Sequence, residues 1–287
     1  MSEPEPAASE RLATRLSRVS LLAALLPVVV AAARALHQGW IPVSENALYA
    51  IRARDVFSGH VPLIGTLAGA AGDNLSNQPG ALLFDVLAVP VTLLGGGPGV
   101  IVGVALINIV SLLGIAFLAH RRGGPLLACA ATAVAAALCW TMGSTMLFEP
   151  WNPHSVLLPF LCFLLLAWSV SCGDAKTLPW LVGVGSLVLQ THLSYVLLVP
   201  ALAGWAVAGL VLDLRRAHAV DRQRGRELDR RARRAGAIAA IVFVLCWAQP
   251  LIEQFTSDGA GNLTRLTQSA DGSGATTGYN LGTRLVA

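Results

Sequence analysis

Leu178–Leu214 reads LPWLVGVGSLVLQTHLSYVLLVPALAGWAVAGLVLDL, 37 residues with no charged side chain before Asp213 and one polar interruption, Gln190-Thr191-His192. As a single helix it would be about 55 Å long, nearly twice a hydrocarbon core of about 30 Å. The stretch is therefore read as two spans that turn at Gln190–His192. Working outward, Val19–Leu36, Gly99–Ala119, Leu126–Leu147, Ser155–Ser171 and Gly236–Ile252 are further apolar runs of spanning length. Ala81–Leu94 is different. It has 14 residues, contains Asp85 and Pro90, and ends in Gly95-Gly96-Gly97-Pro98, which is the pattern of a re-entrant or juxtamembrane segment.

Composition agrees with a chain whose solvent is mostly lipid. Of its 287 residues 55% are hydrophobic and 13% are charged, against about 25% charged in an ordinary soluble domain. Disordered chains, coiled coils and typical cytosolic enzymes are excluded. The five cysteines, Cys129, Cys139, Cys162, Cys172 and Cys246, lie in or beside apolar runs without a C-x-x-C or Cys/His pattern, so they read as small hydrophobes rather than a disulfide or zinc framework. Arg18 and Ala31-Ala32-Ala33 imitate a cleavable signal peptide around Val19–Leu36. Its 18 residues also suffice to span, and more spans follow, so an uncleaved first helix is expected.

Charge sets the orientation. If Ala81–Leu94 does not cross, there are seven spans, and Arg11, Arg15, Arg18, Arg121, Arg122, Lys176 and the nine arginines of 215–234 share one face, 15 cations in all. The other face holds Arg34, Arg52, Arg54, Arg265 and Arg284, which is 5. If it does cross, the Arg121–Arg122 pair and the nine-arginine stretch move outside, against the positive-inside rule. Seven spans are expected, with residues 1–18 a cytoplasmic tail, 37–98 a large first outer loop and 215–235 a basic cytoplasmic loop. Nucleic acid is a poor partner for basic runs that sit beside apolar segments. The Ala, Gly and Arg bias reads as bacterial, so with positive-inside orientation a cytoplasmic (inner) membrane and a cytoplasmic N-terminus are expected. Residues 256–287, rich in Gly, Ser and Thr, read as a flexible outer tail, consistent with a truncated chain or a minimal module.

This topology gathers the polar, non-basic segments on the outer face. Within the first loop Ser44–Phe57 has no helix breaker, and at 100° per residue Glu45, Tyr49 and Arg52 share a narrow sector opposite Ala47, Ala50, Ile51 and Phe57. An amphipathic helix lying on the bilayer is expected, with Ser44 as N-cap. Its Glu45–Arg52 face reads either as surface decoration or as part of a site. Glu149-Pro150-Trp151-Asn152-Pro153-His154 reads either as a wall of a binding site, with Glu149 a second carboxylate and Asn152 and His154 ligand contacts, or as a Trp-anchored turn. Gln190-Thr191-His192 reads either as a contact for sugar hydroxyls or phosphate through His192 or as the polar tip of a helix turn. Asp85 inside an apolar segment should face protein or a cavity, and Asn108 should bond another helix. Asn74-Leu75-Ser76 and Asn262-Leu263-Thr264 have the form of sequons. No phosphate-binding loop, dinucleotide fingerprint or nucleophile elbow is present.

Glu45-Asn46-Ala47-Leu48-Tyr49-Ala50-Ile51-Arg52-Ala53-Arg54-Asp55, followed by Gly59 and Pro62, resembles the first-loop motif of GT-C glycosyltransferases, closest to the lipid A aminoarabinose transferases and protein O-mannosyltransferases. Tyr49-Ala50 and Ala53-Arg54 match that motif in register. Glu45 stands at the place of the family's catalytic Asp, Asn46 at that of its second acid, and Gln78-Pro79 near its His-Pro stretch, with Gln in place of His. The resemblance implies that residues 19–255 form a GT-C-like module. It would move a hexose or pentose from a polyprenyl-phosphate donor to a glycan, lipid or protein acceptor at the outer face. Glu45 would be the general base, Arg52 and Arg54 would bind the leaving phosphate, and Tyr49 and Gln78 would line the substrate site. A divalent metal is compatible with this chemistry, but no metal ligand set stands out. Glu for Asp and Asn for the second acid leave open a non-catalytic scaffold or a component of lipid-linked-glycan transport.

Overall fold

The computed structural model describes residues 8–71 and 74–271. The chain is mostly helical. The helices are α1 (Ala8–His37), α2 (Glu45–Asp55), α3 (Leu82–Leu94), α4 (Gly96–Thr141), α5 (Asn152–Ser155), α6 (Leu157–Ser171), α7 (Leu178–Thr191), α8 (Leu198–Val220), α9 (Arg222–Thr256) and α10 (Asn262–Asp271). A two-stranded antiparallel sheet, β1 (Leu67–Ala71) and β2 (Asn74–Asn77), pairs Leu67 with Asn77 and Gly69 with Ser76. Among the described residues five helices are long and apolar enough to cross a membrane: Arg11–His37, Gly96–Thr141, Asn152–Ser171, Leu193–Val220 and Arg222–Thr256.

The 46-residue helix α4 is two helices in one. Gly123 and Gly124 depart from helical geometry, Gly124 with φ +67°, and Pro125 follows. The chain turns back there: Asn108 in the first half donates to the Leu147 carbonyl beyond the second half at 2.9 Å. The second half lies beside α1, where the Ser20 and Thr132 hydroxyls are 2.6 Å apart. The 37-residue apolar stretch is likewise interrupted where the polar triplet stands, since α7 ends at Thr191 and His192 is extended.

Two proline-bearing helices are repaired by neighbours in the same way. Pro27 in α1 and Pro250 in α9 lack the N–H that would bond the carbonyls of Ala23 and Cys246, four residues earlier. Trp140 Nε1 donates to the Ala23 carbonyl at 2.8 Å, and Gln190 Nε2 donates to the Cys246 carbonyl at 2.6 Å. Freed backbone groups inside a membrane helix need such partners.

Helix α3 runs antiparallel to the start of α4, as a Cβ on Gly99 would strike Val91 and one on Gly103 would strike Leu87. Its 13 residues place Leu82 about 20 Å along α4 from the Gly95 turn. Tyr49, Ala53, Phe84, Leu87, Val100 and Val104 form the compact core between α2, α3 and α4, apart from the main core around α1, α4, α6 and α7.

Several expectations are corrected. Residues 8–18, read as a tail, continue α1. The stretch 215–235, read as a loop, is helical on both sides of Asp221, whose Oδ1 caps α9 by accepting from the Gln223 and Arg224 N–H groups. Within 256–287, Asn262–Asp271 is helix α10, docked on β2, and residues 272–287 lie outside the described residues. Ser44 precedes α2 at φ 53° but its side chain makes no capping bond.

The loops sort to two ends. At one, Asp174 binds Arg121 at 2.9 Å and Arg122 at 3.4 Å, beside Leu214, Leu228 and Arg231. At the other, 38–71, 74–81, 142–156, 190–197 and 257–265 converge through Glu45–Trp151, Gln78–Leu193, Asn77–Asn262 and Trp40–Phe148.

If Gln190 repairs the gap left by Pro250, Gln190→Leu should lower thermal stability in detergent by about 1–3 kcal/mol. Adding Pro250→Ala, which restores the missing N–H, should recover most of the loss. Additive losses in the double variant would contradict the pairing.

Candidate functional site

The polar end is organised around Tyr49. The Tyr49 ring is buried against Phe84, centroids 5.6 Å apart. Its hydroxyl lies 3.3 Å from the Thr66 hydroxyl and also reaches the Asn152 backbone. Burial pushes the phenol well above its ordinary range, so it stays a neutral hydrogen-bonding group. This differs from the expected amphipathic face: Tyr49, Ala50 and Ala53 are buried, while Leu48 and Ile51 are exposed. Packing on α3 outweighs the simple apolar-against-polar division of α2.

On one side of Tyr49 stand two carboxylates, each held by the other's neighbour. Trp151 Nε1 donates to Glu45 Oε2 at 3.0 Å, and the Asn46 side chain hydrogen-bonds Glu149. The first-loop helix and the 149–154 segment, more than 90 residues apart in sequence, are thus laced together. Trp151 also meets His154 edge-on at 4.5 Å between ring centroids. Glu149 is pushed above the usual carboxylate range by desolvation, with the Asn46 hydrogen bond opposing the shift. Two carboxylates thus stand on one rim, and desolvation makes Glu149 easier to protonate than an ordinary carboxylate.

On the other side lies a tight knot. Tyr49, Thr66, Gln78, Gly80, Gln190 and Thr191 surround a space of about 10 Å³, room for one water. The Gly80 N–H donates to the Gln190 carbonyl at 3.4 Å, and a Cβ at Gly80 would collide with the Gln190 side chain. Gln78 Oε1 accepts from the Leu193 N–H at 2.7 Å. Asn262, itself buried, accepts from the Asn77 N–H at 2.9 Å and donates to the Asn77 carbonyl at 3.1 Å. The Asn262-Leu263-Thr264 tripeptide is therefore a structural clasp. Glu253 accepts from the Asn262 N–H, which ties α9 to the same knot.

Buried polar atoms without a partner concentrate here. Of seven among the described residues, five belong to Asn46, His154, Gln190, Thr191 and His192. They lie on the three segments that meet at Tyr49. Burial lowers the pKa of His192, keeping it neutral. Such unsatisfied groups are costly, and their concentration sets this end apart from the rest of the described residues.

Of the residues expected at a site, Glu45, Tyr49, Gln78, Glu149, Asn152, His154 and His192 are brought to this end. The two arginines divide. Arg54 pairs with Asp55 at 3.2 Å and lines a separate hollow of about 440 Å³ with Phe57 and Val91, on the opposite side of α2 from Glu45 by helical spacing. Arg52 is exposed on the Glu45 side and has no ion pair among the described residues. Trp151 as a carboxylate donor, Asn46 as the Glu149 partner, and Gln190 and Asn262 as interior ties were not assigned from sequence. The position of Pro250 four residues beyond Cys246 was the signal for Gln190; the others depend on long-range packing. Asp85 faces protein, accepting from Gln249 Nε2 at 2.9 Å. Among the described residues no three His, Cys, Asp or Glu side chains converge to hold a metal ion. No family model, no curated protein and no solved structure matches the chain.

The raised pKa of Glu149 has a sign in stability. A carboxyl whose folded pKa exceeds its unfolded value binds more protons when folded, so stability falls as pH rises through that interval. Glu149→Gln should therefore raise the thermal midpoint at pH 7 and leave it nearly unchanged at pH 4, measured against wild type in the same detergent. An equal shift at both pH values would show that desolvation of the charge is not the cause.

Proposed function

We propose that the protein is a membrane glycosyltransferase that moves a sugar from a polyprenyl-phosphate donor to an acceptor hydroxyl at the outer face of the cytoplasmic membrane. The observation that carries this reading is the cross-lacing of Glu45 and Glu149 on the rim of the Tyr49 hub. It occurs at the end away from the basic segments, in a helix whose sequence resembles the GT-C first-loop motif. Two helices from α4, together with α1, α6, α7, α8 and α9, make seven crossings. Helix α3 is the returning arm of a re-entrant element on the outer side, running from Leu82 back to the Gly95 turn. The antiparallel α3–α4 pairing and the sorting of loops to two ends support this arrangement. Positive-inside orientation then puts the N-terminus and the basic end in the cytoplasm.

In the proposed reaction the acceptor hydroxyl gives its proton to the Glu45 carboxylate as its oxygen attacks the anomeric carbon. The bond from that carbon to the phosphate oxygen breaks, and the polyprenyl phosphate leaves with the electron pair. Trp151 fixes Glu45 through the indole N–H. Arg52, on the Glu45 side of α2 and without an ion pair among the described residues, is the cation offered to the leaving phosphate. Gln78 and Asn152 act as the scaffold of the site, while His154 and His192 stand beside it as contacts for sugar hydroxyls.

A second reading, a non-catalytic scaffold or a component of lipid-linked-glycan transport, is favoured by the closure of the knot to a single-water space. One assay separates the two. Membranes containing the protein would be given undecaprenyl-phosphate-linked pentoses and hexoses carrying labelled sugar, and loss of label from the lipid fraction would be followed. Wild type should transfer label from one donor, and Glu45→Gln should be slower by about 10²–10⁴-fold. Full activity in Glu45→Gln would remove Glu45 from the mechanism, and no transfer by wild type from any donor would favour the scaffold.

A further inference from the structure

At the basic end, a hollow of about 160 Å³ opens between the end of the first α4 segment, the 172–177 turn and the α8–α9 hairpin. Arg121, Lys176 and Arg231 stand on its wall, and Leu210, Leu214 and Leu228 form an apolar floor. Its charge balance is positive. Asp174 is engaged by Arg121 at 2.9 Å and Arg122 at 3.4 Å, and Arg122 is further fixed by donating to the Ser169 carbonyl at 2.6 Å. Asp213 packs against Gly173 at the edge of the turn. Four cations thus face two carboxylates. Lys176 and Arg231 are exposed and have no ion pair among the described residues.

We infer that this hollow binds the phosphate headgroup of an anionic phospholipid. Lys176 and Arg231 are the free donors for the phosphate, Arg121 adds charge from above the Asp174 pair, and the leucine floor receives the first methylenes of the acyl chains. A cationic wall over an apolar floor, set between helices where spanning segments end, matches a lipid headgroup better than a soluble anion. The hairpin that supplies Arg231 is tied across its turn. Asp221 caps α9, and His218 Nε2 lies 2.8 Å from Asp229 Oδ2 across the two helices. The inference does not rest on glycosyl transfer, because it involves the opposite end of the molecule.

The test uses the full-length protein in detergent, titrated with phosphatidylglycerol or with phosphatidylcholine, and reads thermal protection. Phosphatidylglycerol should protect at a lower concentration than phosphatidylcholine. Lys176→Gln/Arg231→Gln should raise the half-saturating phosphatidylglycerol about 20-fold, whereas Arg215→Gln/Arg216→Gln, which removes the same charge outside the hollow, should change it less than about threefold. The charge-preserving pair Lys176→Arg/Arg231→Lys should retain binding, which separates headgroup contact from damage to the fold. Equal losses in the two Gln pairs, or no preference of wild type for phosphatidylglycerol, would overturn the proposal. Equal protection by inorganic phosphate at matched ionic strength would overturn the lipid assignment in favour of a soluble phosphate.

Discussion

The arrangement at the polar end depends on a single glutamine. Gln190 donates its side-chain amide to the Cys246 carbonyl that Pro250 leaves without a helical partner, and its backbone carbonyl accepts from Gly80. One residue therefore ties α7 to α9 and both to the loop that leads into α3. Gly80 has no room for a side chain because Gln190 occupies it. In water a lone carbonyl would be hydrated at little cost. Inside a membrane protein it must be paired by another chain segment, so the gap left by proline becomes a specific attachment point. Trp140 and Pro27 repeat the device between α4 and α1.

The site is built outward from that attachment. Gln78 and Asn262 close the knot below, and Tyr49 lies buried between the knot and the 149–154 segment. Glu45 and Glu149 are on the rim, where ligand and water can reach them. The division of labour is physical. Neutral, fully packed polar groups hold the geometry, while the charged groups that could do chemistry sit at the boundary, where desolvation is partial. Arg54 faces the other side of α2, and the basic hairpin is at the opposite end of the molecule. Only Arg52 shares the Glu45 side of α2.

Much of the architecture is legible in the sequence because membrane burial writes it in length and charge. The 37-residue run breaks where Gln190–His192 predicts, and Gly123-Gly124-Pro125 reverses the chain beside Arg121–Arg122. Other features depend on information that local pattern does not hold. The burial of Tyr49 follows from its fit against Phe84, which periodicity within α2 cannot express. The 215–235 stretch looks like a loop because it is highly charged, yet Arg has a high helix propensity and a one-residue break capped by Asp221 suffices for the turn. Asn262 looks like a sequon in a polar tail, and its role exists only because β2 offers an unpaired edge. At the site, Glu45, Tyr49 and Glu149 are readable as candidates, but their bonds to Trp151 and Asn46 are not.

The account stands on the Tyr49 site and the basic hairpin lying on opposite sides of the membrane. The most direct measurement places single cysteines at Ser58 and Ala219, both exposed, in a background without the five native cysteines, and treats intact cells with an impermeant thiol reagent. Labelling of Ser58→Cys, with Ala219→Cys labelled only after the membrane is opened, is the predicted result. Labelling of Ala219→Cys in intact cells, or of both positions to the same extent, would contradict it.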